Sequence, residues 1–286
     1  MGTDLFLTQI GGLPPQPAYV NHICPVNQSI SSILAPTNAP TPTKRPSNIQ
    51  STNSKVVLRS ISKVSMRIEG EIKLAFDDVM IRPKRSTLVS RSDVTLKRKF
   101  SFRHTSRTWE GVPISAANMD TTGVFDVAKV LQSYNMITCL QKFYSVKDLE
   151  RAWADDVDAR YIAVTCGSTE DSFQLLKRKL ATNDDLSMIC IDVANGYREV
   201  FLEFVKRVRS DFPDKIIIAG NVATNEMTEA LILAGADIVK VGIGPGSVCT
   251  TRKVTGVGYP QLSAISECAD AAHGLGGHVM ADGGCN

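Results

Sequence analysis

The chain has 286 residues, 43% of them hydrophobic and 21% charged, which is ordinary for a globular protein and enough for a full α/β core. Its formal net charge of +3 is unevenly spread: residues 1–65 carry five basic side chains against one acid, and the remaining residues carry 27 against 28. That balance excludes the clustered basic surface of a nucleic-acid-binding domain, and no apolar run approaches the ~18 residues of a membrane span, so a cytoplasmic protein with neither partner is expected.

Residues 1–65 read unlike the rest. Pro14, Pro15, Pro36, Pro40, Pro42 and Pro46 are interleaved with Ser, Thr, Asn and Gln, and no apolar period is sustained. Such a segment cannot bury enough surface to offset its ordering entropy, so it is predicted to be a disordered extension. It is also acid-poor and rich in hydroxyl residues, as a transit peptide is, but arginine occurs only at Arg45 and Arg59. Met66 stands where the globular text begins, and residues 66–286 are read as one catalytic domain.

From Ile68 onward short apolar runs recur: Val112–Ala117, Met136–Leu140, Tyr161–Thr165, Met188–Val193, Ile216–Ala219, Ile238–Val241 and His278–Ala281. Runs of four to six nearly continuous apolar residues suit strands buried on both faces of a parallel sheet. Helical spacing fills the intervals. Phe201, Phe204, Val205 and Val208 mark one apolar face, closed by Pro213. A second helix starts after Thr224 as its N-cap, buries Met227, Ala230, Leu231 and Ala234, and stops at Gly235. A third runs from about Leu262 to Ala272.

Strands alternating with helices predict an α/β fold. Polar residues follow every strand: Asn118 and Asp120, Lys142, Ser168, Asp192 and Asn195, Asn221, the Gly242 loop, and Asp282 with Gly283 and Gly284. Polar groups gathered from many strand ends share one site only if the strands close into a ring, which favours a (β/α)8 TIM barrel over an open doubly wound sheet. Seven of eight strands are counted, so the barrel is expected to be incomplete, C-terminally truncated and open along one unpaired edge.

Seven cysteines without paired short spacing give neither a disulfide framework nor a zinc pattern. Cys139, Cys166 and Cys190 fall within strands and are expected to be small buried hydrophobes. Cys249 differs, because it sits on the loop Gly242-Ile243-Gly244-Pro245-Gly246-Ser247-Val248-Cys249-Thr250-Thr251-Arg252. A thiol held accessible at a barrel mouth can act as a nucleophile. The Gly242, Gly244 and Gly246 spacing falls short of a dinucleotide fingerprint, since Pro245 and a long loop through Pro260 replace the immediate helix. The loop's carbonyls could equally cage a monovalent cation. Asp282-Gly283-Gly284 is a candidate phosphate and ribose loop, or a tight turn. Asp192-Val193-Ala194-Asn195-Gly196 offers the same choice. Lys142, at the end of an apolar strand, is expected to be buried with a partner. None of the four histidines is assigned a role.

These residues resemble a known family. Gly244 to Arg252 followed by Thr255-Gly256-Val257-Gly258-Tyr259-Pro260-Gln261 is similar to GMP reductase, of the IMP dehydrogenase/GMP reductase family. So are Ala117-Asn118-Met119-Asp120-Thr121, Asp192-Val193-Ala194-Asn195-Gly196-Tyr197, Ala219-Gly220-Asn221-Val222 and Asp282-Gly283-Gly284-Cys285. IMP dehydrogenase is the rival branch. It usually carries a regulatory insertion after the second strand, where this chain has only a short connection, and Ile between Cys and Thr, where this chain has Thr250.

The resemblance implies NADPH-dependent reductive deamination of GMP to IMP and ammonia by a homotetramer. It implies Cys249 as nucleophile, with Thr251 assisting proton transfer alongside a glutamate on a later flap. Ser90, Arg91, Lys142, Asp192, Val193, Ala194, Ile243 and Gly244 would contact NADPH. Asp282, Gly283 and Gly284 would hold GMP, and Gly244, Gly246, Cys249 and Arg252 would hold a potassium ion through backbone carbonyls. The flap acid and the second half of the phosphate site lie beyond Asn286 in that family. The alternatives are therefore a catalytically incompetent fragment that at most associates with intact subunits, or dehydrogenase-type oxidation of IMP.

Overall fold

The computed structural model of the chain describes residues 68–285 and the backbone of Leu5–Leu7. The expected disorder of residues 1–65 otherwise lies outside the described residues. The chain divides into two compact units, residues 26–72 and the remainder. In the first only residues 68–72 are described, and they are exposed.

The second unit is built on parallel strands joined by helices. In chain order the strands are β1 (Leu5–Leu7), β2 (Arg98–Ser101), β3 (Thr108–Gly111), β4 (Ser115–Ala116), β5 (Ile137–Cys139), β6 (Ile162–Cys166), β7 (Met188–Asp192), β8 (Ile216–Val222), β9 (Ile238–Val241) and β10 (His278–Ala281). The helices are α1 (Phe125–Ser133), α2 (Val146–Ala154), α3 (Glu170–Leu180), α4 (Glu199–Asp211), α5 (Asn225–Ala234), α6 (Thr251–Thr255) and α7 (Gln261–Gly274). Strands β4 to β10 lie side by side in chain order, all parallel, with at least one helix between each pair. This is the βα succession of a TIM barrel, and seven barrel strands are present, as the sequence predicts.

The predicted open edge is covered on one side. Leu5–Leu7 pairs in parallel with β10, in the register Leu5 to Val279, Phe6 to Met280 and Leu7 to Ala281. The sequence gives no hint of this, because three residues are too few to show a period. No pairing joins β1 to β4 among the described residues, so the ladder does not close into a ring.

Alternation along the strands separates two cores. Ile137, Cys139, Ala163, Met188, Cys190, Ile216, Ile218, Ile238 and Met280 point into the barrel. Their neighbours Ile162, Val164, Ile189, Ile191, Ile217, Val239, Val241 and Val279 point outward under the helices. The helices supply their expected faces: α4 buries Phe201, Phe204, Val205 and Val208, and α5 ends at Gly235 in the left-handed conformation. Thr224 precedes α5 as expected, but its side chain does not cap the helix; its Oγ1 instead accepts the Tyr197 hydroxyl at 3.3 Å. The antiparallel β2–β3 hairpin carries Phe100, Phe102 and Trp109 into the inner core, where Phe100 packs edge-on against His278.

A buried carboxylate fastens this hairpin end. Asp237, fully buried, accepts Arg209 Nη2 at 2.5 Å, the Ile217 amide at 3.0 Å and the His104 amide at 3.0 Å. Burial holds the Arg209 guanidinium below its usual value, and Asp237 offsets part of that. No helix among the described residues is long and apolar enough to cross a membrane.

Candidate active site at the strand ends

Period two places every second side chain inside the barrel. Followed toward and just past the C-terminal ends, the inward series turn polar together: Met188, Cys190, Asp192 along β7; Ile238, Lys240 along β9 and Gly242 after it; and Met280 in β10 with Asp282 after it. The three charged groups meet. Lys240 Nζ lies 2.8 Å from Asn118 Oδ1, 3.1 Å from Asp192 Oδ1 and 3.3 Å from Asp282 Oδ2. Asn221 Nδ2 donates to the same Asp282 Oδ2 at 2.7 Å and to the Gly242 carbonyl at 3.0 Å. Its buried Oδ1 has no hydrogen-bond partner among the described residues, and neither does Gln261 Oε1. Unpaired buried acceptors beside a cluster of carboxylates suit a ligand that brings hydroxyl or amide donors, as a nucleotide does.

Above this cluster the cysteine loop folds on itself. The Cys249 amide donates to the Gly246 carbonyl at 3.0 Å, and the half-buried thiol lies 3.3 Å from Thr251 Oγ1. The Thr251 hydroxyl and amide favour the thiolate, and Arg252 adds a smaller attraction, so the Cys249 pKa is lowered from the ordinary thiol value. The expected continuous loop through Pro260 is interrupted by α6, which begins at Thr251, two residues after the cysteine.

Arg252 clamps the loop from within, donating to the carbonyls of Ile243 and Tyr259. A Cβ on Gly244 or on Gly258 would meet Arg252 Cγ at 2.6 Å, and Gly244 also has φ +75°, so a larger residue at 244 is strained and crowded at once. The next loop nests against this one. Gly284 has φ +68°, and a Cβ there would lie 2.6 Å from Pro245 Cβ.

The structure brings together Asp192, Asp282, Gly283 and Gly284 with Gly244, Gly246, Cys249, Thr251 and Arg252. The other expected residues make separate local contacts. Ser90 makes its hydrogen bonds locally, to Ser92 and Asp93, and Arg91 follows it in an exposed turn. Val193 packs on the outer core and Ala194 is exposed. Lys142 is exposed, not buried: its strand ends at Cys139, and its ammonium rests over the Phe143 ring at 5.3 Å. Lys179 and Lys240 are the buried lysines among the described residues, and Lys240, hidden in the apolar run Ile238–Val241, is the one at the strand ends. The alternation Ile238, Lys240, Gly242 is the signal that would have found it.

The IMP dehydrogenase / GMP reductase domain family matches residues 73–286. The GMP reductase of Enterobacter sp. (strain 638) is 59% identical over 223 residues, covering 77% of this chain and 64% of that protein. The GMP reductase of Vibrio vulnificus (strain YJ016) is 58% identical over 226 residues, with the same coverage of both chains. The crystal structure of inosine 5' monophosphate dehydrogenase from Legionella pneumophila superposes with a TM-score of 0.64 at 29% identity, over 75% of this chain and 63% of that one. The chain thus spans less than two thirds of the length of the curated relatives it matches.

Proposed function

The chain belongs to the IMP dehydrogenase/GMP reductase family, and we propose that it carries the reacting half of a GMP reductase site. The observation that carries this reading is the accessible Cys249 thiol, paired with Thr251 at 3.3 Å on a loop above the Lys240 cluster. Its relatives named GMP reductase support the choice of branch.

Cys249 attacks C2 of the guanine ring, and the C2 amino group leaves as ammonia once protonated. The purine is then held by a C2–S bond. Splitting one substitution into two steps is the usual gain from a covalent nucleophile. The lowered thiol pKa raises the fraction of nucleophile at neutral pH, and the Thr251 hydroxyl, within reach of the same sulfur, passes the proton. NADPH, when bound, would supply a hydride to C2 in exchange for the C–S bond, so that the Cys249 thiol would be returned and IMP released. Asp192, with Ser90, Arg91, Lys142, Val193, Ala194, Ile243 and Gly244, forms the NADPH side. Asp282 holds the ribose of GMP, and the amides of Gly283 and Gly284 meet its phosphate.

The loop's backbone carbonyls at Gly244, Gly246, Cys249 and Arg252 are uncharged oxygen donors. Their chemistry suits a monovalent cation such as potassium better than a transition metal. Among the described residues no group of three His, Cys, Asp or Glu side chains is placed to hold a metal. The whole protein is proposed to act as a cytoplasmic homotetramer.

The test is NADPH consumption with GMP, against NAD reduction with IMP, by the chain and by Cys249→Ala. The reading expects GMP-dependent oxidation of NADPH that falls by roughly a thousandfold or more in Cys249→Ala. Undiminished turnover in that variant removes Cys249 from the mechanism. Binding of GMP without turnover identifies a nucleotide-binding, non-catalytic form.

A further inference from the structure

Lys240 stands at an inward position of β9, where the strand is otherwise apolar. Its side chain is only 3% exposed, whereas Asp192 and Asp282 keep 29% and 22%. The carboxylates therefore face the mouth and the lysine lies beneath them. The neighbouring strand makes room for it, since a Cβ on Gly220 would meet the Lys240 Cβ and carbonyl oxygen at 2.6 Å.

The Lys240 ammonium donates to Asn118 after β4 at 2.8 Å and to Asp192 at the end of β7 at 3.1 Å, and it forms an ion pair with Asp282 after β10 at 3.3 Å. These come from well-separated strands of the barrel. Burial works against the ammonium, and the carboxylates of Asp282 and Asp192 outweigh it, so Lys240 keeps its charge.

We propose that Lys240 is a positioning residue whose single ammonium fixes the carboxylates of Asp192 and Asp282 together, so that the cofactor side and the nucleotide side share one anchor. This rests on the nucleotide reading above, which assigns the two aspartates to different ligands. Lys240 touches neither ligand. It acts by setting where two carboxylates, on strands that do not touch, point into the same mouth.

The experiment measures GMP and NADPH binding separately, by calorimetry on the full chain, for wild type, Lys240→Met, Asp192→Asn and Asp282→Asn. Lys240→Met is expected to weaken both ligands, each by about tenfold or more, while Asp192→Asn weakens chiefly NADPH and Asp282→Asn chiefly GMP. A second variant, Lys240→Ala, is titrated with propylammonium, which supplies the missing chain and charge; recovery of both affinities is expected. Where neither variant folds, Lys240→Arg carries the comparison, because it keeps the charge and alters its reach. Wild-type affinity for both ligands in Lys240→Met, or loss of one ligand alone, overturns the shared anchor. A wild-type chain that binds neither ligand overturns the nucleotide reading first, and the anchor with it.

Discussion

At the scale of single residues the cysteines separate by environment. Cys249 is half-buried beside Thr251, with its pKa lowered. Desolvation pushes Cys166 up to about 12 and Cys268 up to about 11. Thiolate, not thiol, reacts with an alkylating agent. Labelling with iodoacetamide at neutral pH, read by peptide mass spectrometry, is therefore expected to mark Cys249 well before Cys166 or Cys268. As pH rises, the Cys249 rate should climb and level off below the pH at which an ordinary thiol does. Thr251→Ala removes the hydroxyl that favours the thiolate, so the levelling point should move to higher pH. A Cys249 profile that is the same with and without the Thr251 hydroxyl would sink this account.

At the scale of elements, the two nested loops and the aromatic hairpin do different jobs. Gly284→Ala forces a side chain onto Pro245 and strains a left-handed backbone. A cost of about 1–3 kcal/mol is expected in denaturant unfolding, together with weaker GMP binding. Phe100, 1% exposed between Trp109 and His278, fills the inner core from the hairpin. Phe100→Ala should cost about 3–5 kcal/mol in the same measurement while leaving Cys249 reactivity unchanged.

The elements were largely legible because their signals are local. Short apolar runs, the Phe201 to Val208 face and the Gly235 stop are each decided by neighbours a few residues away. What stayed hidden depends on direction. Lys142 and Lys240 both sit in apolar text, and only the phase of the alternation tells that one has left its strand while the other points into the barrel. Ser90 and Arg91 show the opposite limit, since their own text reads only as a turn and the ligand role proposed for them comes from resemblance alone.

At the scale of the molecule, β1 covers an edge of β10 that would otherwise present unpaired backbone groups. Removing residues 1–7 should speed amide exchange along Val279–Ala281, read by hydrogen–deuterium exchange, and raise the tendency of the chain to self-associate. Unchanged exchange there would show that the pairing contributes nothing in solution.

The same pairing imposes an order in time. Leu5–Leu7 emerge from the ribosome roughly 270 residues before the strand they pair with. At a synthesis rate of about 5–20 residues per second, the N-terminal strand waits on the order of tens of seconds for its partner. During that interval each helix and strand from β4 onward can dock on the one before it, so the sheet grows from β4 toward β10. Leu5–Leu7 are thus made long before they can find their place, and a ribosome stalled before residue 279 leaves them without the β10 pairing.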